Sequence, residues 1–165
     1  MSVLGYGFRY DGEIITPDGE LIQFSDNNLL PQVAIDHIAG LIRGTNSPIG
    51  SWYMGLFENN YVPTSGVTAA DLPGVVGEST AYSEATRPSW VHAYDGVSAI
   101  TNLASKATFT MTAAKVIYGA FIVSSSVKAG NTGLLLSIAR FSTAQTLAVG
   151  SVFSLAAGLT LVPTP

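Results

Sequence analysis

Two histidines, His37 and His92, stand far apart in a chain that has no cysteine. A zinc site needs three or four nitrogen, sulfur or oxygen ligands close together. Neither histidine has such neighbours in sequence, so each reads as a packed residue rather than a metal ligand. Carboxylates are sparse and widely spaced. Glu58, Asp71, Glu78 and Glu84 are the acids that a cleft would have to bring together for glycoside hydrolysis, which uses two carboxyl groups at no fixed sequence separation. Glu78, Glu84 and Arg87 make a small charged group. With no histidine, activated nucleophile or metal-ligand spacing beside them, they read as a surface ion pair or a turn. Arg87 with Trp90 suits a sugar site or, equally, a structural corner. The chain has no GxGxxG or GxxxxGK[ST] phosphate cradle, no GxSxG elbow and no HExxH helix. We therefore expect no enzyme activity, no catalytic residue, no cofactor and no metal.

Composition narrows the remaining classes. The 165 residues suit one domain with a real core. Charged residues make up 11% and hydrophobic residues 47%, where an ordinary soluble domain carries about 25% charged residues. Such a surface must be covered by Ser, Thr, Asn, Gly and backbone, or by other protein, and we expect a homo-oligomer. The net charge is −4 and the seven basic residues are scattered, which argues against nucleic acid as a partner. The first residues lack the basic and apolar regions of a signal peptide. A membrane span needs about 20 predominantly apolar residues. The uncharged tail from Phe141 to Pro165 is too often interrupted by Ser, Thr, Gln and Gly, so no membrane partner is expected.

The elements that must position these residues follow from periodicity. Thr108 to Val162 opens with a strict alternation, Phe109 and Met111 on one face and Thr108, Thr110 and Thr112 on the other. This is the period of a half-buried strand. KVIYGAFIVSSS, LLLSIARFS and TLAVGSVFSLAAGLTLV follow, with breaks at Ala113-Ala114, Lys128 to Asn131 and Ser142 to Gln145. The spacing predicts an antiparallel meander. Earlier, Leu30, Ala34, Ile38 and Leu41 recur at helical spacing between Asn28, a candidate N-cap, and Gly44, a candidate stop. One main helix is expected near 30–43. WYMGLF reads as a strand in which Gly55 marks a bulge or a close backbone approach. Asn59 to Gly77 is a long loop that reads as functional or bound to a partner, with one helical turn over Thr68–Asp71. Tyr6, Phe8 and Tyr10 alternate, as in a first strand or an arm that docks on a neighbouring subunit. Turns at Asp11-Gly12 and Pro17-Asp18-Gly19 then suggest a hairpin. The expected organisation is an arm and hairpin over 1–28 and a β-rich domain over 29–165. The fold class is mainly β: an antiparallel β-sandwich or jelly-roll-like domain with one main helix.

The order of segments carries a resemblance. The helix LLPQVAIDHIAGLI leads into SWYMGLFENN, then the loop VPTSGVTAADLPG, AYSEATRPSW and VIYGAFIVSSSVKAGNTGLLLSIARFS. From about Leu29 to Phe141 this resembles the head decoration, or cement, proteins of tailed bacteriophages. The resemblance implies a structural virion protein made in the host cytoplasm and bound to the capsid exterior. Its partners would be the major capsid protein and further copies of itself, as a trimer or dimer, and no catalytic residues transfer. A phage tail or neck component, or a β-sandwich carbohydrate-binding module, is the alternative. Exposed clustering of Trp52, Tyr53, Tyr61, Tyr82 and Trp90 would favour the carbohydrate module. Candidate partner-binding residues are Tyr6, Phe8, Tyr10 and Tyr61.

Overall fold

The computed structural model describes residues 7–161. Their strands are β1 (Phe8–Ile15), β2 (Leu21–Asn27), β3 (Tyr53–Phe57), β4 (Ala93–Tyr94), β5 (Ala99–Thr101), β6 (Ala107–Thr110), β7 (Lys115–Val123), β8 (Leu135–Leu147) and β9 (Val152–Thr160). The main helix, α1, spans Gln32–Ile42, and two short helical turns, Ala69–Asp71 and Leu72–Val76, lie between β3 and β4. The fold is mainly β and antiparallel, as the periodicity predicts. One sheet has the order β2-β1-β9-β5-β4, with β6 also paired to β9, and the other has the order β3-β7-β8. β5 and β6 share one edge of β9: β5 pairs with Gly158 to Thr160 and β6 with Val152 to Leu155.

Alternation explains where the cores form. Tyr10 and Ile14 of β1, Met54 and Leu56 of β3, Phe109 of β6, Ile117 and Ile122 of β7, and Phe153 and Leu155 of β9 meet between the sheets. The neighbours Phe57, Phe121 and Val123 point to the opposite face of the three-stranded sheet. There they pack with Val67, Ala69, Leu72 and Val76. A sheet buried on both faces needs apolar residues at successive positions, which is why WYMGLF and KVIYGAFIV are nearly continuous apolar runs. The loop from Asn59 to Gly77 therefore covers that outer face. Asn59 Nδ2 pins it by donating to the carbonyls of Gly74 and Val75.

Several sequence expectations need correction. Asn28 does not cap α1, whose N-cap is Pro31 in extended geometry with no side-chain cap bond. The Asn28 side chain instead accepts from Phe8 N and donates to Leu29 O and Ser137 Oγ, linking β1 to β8. The stop holds: Arg43 is the C-cap and Gly44 follows at φ 71°. The last third is not a meander, because β6 and β9 belong to one sheet while β7 and β8 form a hairpin in the other. Ser142 to Gln145 is not a break. β8 runs through it, and the pairing jumps from Gly119↔Arg140 to Ile117↔Gln145. The extra residues bulge out, and Ser142 N donates to Asp26 Oδ1. The hairpin β1–β2 is not separate from the rest, since β1 pairs along its length with β9.

Candidate functional site

The charged group of the sequence is internal. Arg87 and Glu78 side chains are both 0% exposed, and their pairing is bidentate: Nε to Oε1 at 2.8 Å and one terminal nitrogen to Oε2 at 2.6 Å. Arg87 also donates to the carbonyls of Ser125 and Gly130, and its backbone N–H donates to Ser126 O. The expected surface ion pair is instead a buried clamp that fastens the 78–90 segment to the turn between β7 and β8. Its donors and acceptors are taken up by protein, which leaves no group free for acid–base work. Glu84 is spent on β6, accepting from Thr110 N and Oγ1. Glu58 pairs with Lys115, and Asp71 closes a capping box with Thr68. The four acids are thus used one by one in local structure, not gathered in a cleft.

The structure does bring together residues that the sequence leaves apart. Where β1 begins and β9 ends, an apolar groove of about 230 Å³ opens between α1 and the six-stranded sheet. His37 and Leu41, one turn apart on α1, form one wall with Trp52, and Trp90, His92 and Phe8 line the rest. None of the lining residues is Asp, Glu, Lys or Arg. The Trp90 ring is fixed from below: its Nε1 donates to Asn102 Oδ1 and Ala157 O, and Asn102 Oδ1 also accepts from Ala157 N. Phe8 meets Trp90 edge-on at 5.6 Å, and the His92 ring lies 4.4 Å from it. His37 is 8% exposed. Asn46 Nδ2 donates to His37 O at 3.3 Å and faces its Nδ1 at 3.5 Å. His37 Nε2 is buried without a partner among the described residues. No group of three or more His, Cys, Asp or Glu that would hold a metal occurs among the described residues. The groove can hold apolar matter. It carries no nucleophile, and no acid is aligned with either histidine.

The predicted partner-binding residues fall in different places. Tyr6 lies outside the described residues. Phe8 is 3% and Tyr10 0% exposed, so neither is free on an arm. Both point into the core because β1 is a central strand between β2 and β9. Tyr10 Oη donates to Ser137 Oγ at 2.8 Å, and burial pushes its phenol pKa up, which keeps it a neutral donor. Tyr61 is half-buried against the outer core. Tyr82 and Trp90 are buried too, so the five aromatics make no exposed sugar-stacking platform. Sequence reasoning missed the groove because its walls come from distant stretches. The one local signal was Trp90-Val91-His92: on extended chain, residues two apart face the same way.

Compared with known proteins, the sequence matches no family model and no curated protein. Among the described residues no helix is long and apolar enough to cross a membrane.

Proposed function

We propose that this protein is a structural component of a bacteriophage head that binds the outside of the capsid and stabilises it, acting as a homo-oligomer without catalysis. One observation carries this reading: the molecule has an apolar end. A groove with no charged lining opens there, with Ile42 exposed next to Leu41 and Tyr94 exposed two residues beyond His92, on a chain with 11% charged residues. Contiguous exposed apolar surface marks a protein-contact site. The segment-order resemblance to head decoration proteins supplies the kind of partner, the major capsid protein. A β-sandwich carbohydrate-binding module has one point in its favour, that Trp52 and Trp90 share the groove. A sugar, however, needs several hydrogen-bond partners around its ring, and the side chains of this lining offer only the two histidines and the Trp52 indole N–H.

The test is co-sedimentation. Purified full-length protein is mixed with empty shells of the phage that encodes it, assembled without it, and the shells are pelleted. Saturable recovery in the pellet is expected. Recovery only with tails or necks would move the protein elsewhere in the particle, and no recovery with any of them would end the structural reading.

A further inference from the structure

The inner side of α1 is taken up by the fold, with Ala34, His37 and Gly40 buried. Its outer side is not the polar face that a surface helix of a free monomer carries. With 3.6 residues per turn, Ile35, Ala39 and Ile42 fall on one stripe of the exposed face, and Gln32, Asp36 and Arg43 run beside it, all of them exposed. Ile35 is 46% and Ile42 84% exposed. The two charges are ordered along the helix: Asp36 lies in its first half and Arg43 is its C-cap. Turned over about a two-fold axis that crosses α1 at right angles beside Ala39, this face matches itself. Reversal about that point brings Ile35 of one copy opposite Ile42 of the other, and Asp36 opposite Arg43. The apolar edge meets the apolar edge, and the charged edge meets the charged edge with its signs reversed. A parallel pairing would lay the charged edge of each helix on the apolar edge of the other. Ala39, at the crossing point, has no side chain beyond Cβ to hold the two helices apart. Self-complementarity is what a two-fold contact demands and what a contact with a different protein does not.

We propose that the outer face of α1 is a two-fold contact between copies of the chain, in which antiparallel α1 helices pack Ile35 of each copy against Ile42 of the other and pair Asp36 with Arg43 across the axis. This rests on the homo-oligomer of the proposed function and names its surface and its symmetry, a dimer. The helix has 11 residues, about 16 Å of length. A contact confined to it falls short of the about 800 Å² per partner of a standard interface, so the dimer should dissociate on dilution.

Charge reversal tests the contact, with the full-length protein followed by sedimentation equilibrium at low salt and without shells. The parent should show a reversible monomer–dimer equilibrium. Asp36→Arg sets arginine against Arg43 of the second copy, and Arg43→Asp sets aspartate against its Asp36. Each should weaken dimerisation by about tenfold or more. An equimolar mixture of the two variants restores both opposite-charge pairs and should recover the parent's dimerisation, and so should the double variant Asp36→Arg/Arg43→Asp. Ile42→Asp should stay monomeric at every concentration. All these positions are exposed, so the unfolding midpoints should stay close to the parent's. A parent that is monomeric at every concentration would overturn the proposal. So would a dimer that both single reversals leave unchanged, or one that mixing them does not restore. Because no shell is present, dimerisation that succeeds where shell binding fails would sink the capsid reading and leave this contact standing, and shell binding by a strict monomer would do the reverse.

Discussion

Arg87 holds the segment from Glu78 to Trp90 in place, and its environment sets what a substitution there does. Two opposite charges at 0% exposure are tolerable only because each is paired and hydrogen-bonded. Arg87→Met leaves Glu78 buried without its partner and should cost about 3–5 kcal/mol, read from urea unfolding. The double variant Glu78→Leu/Arg87→Met removes both charges and should recover most of that loss. Asp95 is the opposite case, an exposed acid shaped by backbone. The N–H groups of Ala99, Val97 and Ser98 donate to it and hold its carboxyl below the usual carboxylate range. A carboxyl with a lower pKa folded than unfolded stabilises above the unfolded value, and that contribution disappears as pH falls through the folded value. Asp95→Asn should therefore flatten the acid limb of the stability profile below about pH 4 and leave the neutral region's slope unchanged, as measured by unfolding at a series of pH values. At this scale the sequence was only partly legible. The identities of Glu78 and Arg87 were visible, but their burial was not, because a charge reads as surface until the fold encloses it. The reverse held for Phe8 and Tyr10, where strand alternation was visible and the side of the sheet's neighbours was not.

At the scale of elements, the three-stranded sheet is the most constrained piece. Both of its faces are covered, and its glycines sit where strands and rings come close. A Cβ on Gly119 would collide with the carbonyl oxygen of Ala139 and the Phe57 ring, whereas one on Gly66 meets nothing within 4 Å. Gly119→Ala should cost about 1–3 kcal/mol through overpacking, and Gly66→Ala should leave the unfolding midpoint nearly unchanged. Leu72, buried under the 59–77 cover, should lose about 2–5 kcal/mol on truncation to Ala, a loss that a loop free to reach a neighbour would not show. Strand content, the helix and its Gly44 stop were readable because periods of 2 and 3.6 are local properties. Gly55 was readable for the same reason, and its close approach is to the Phe121 ring. Strand partners were not readable. The alternation of β6 is the same whether it pairs with β7 or with β9, and only the closing of the sandwich decides. The groove was hidden likewise, because α1, Trp52, Trp90 and β1 meet only in three dimensions.

As a whole, the molecule is a charge-poor sandwich with its outer sheet face already covered by its own loop and its groove end uncovered by the described residues. Under the proposed function, the groove end is where partner contacts are expected. Many copies bound side by side would then resist expansion of a shell through avidity, although each contact is modest. The most direct measurement is the temperature at which empty shells rupture, followed by light scattering as the full-length protein is titrated in. Cement activity predicts that the rupture temperature rises with added protein and levels off once the shell's sites are filled. A rupture temperature that stays constant across the titration would contradict it.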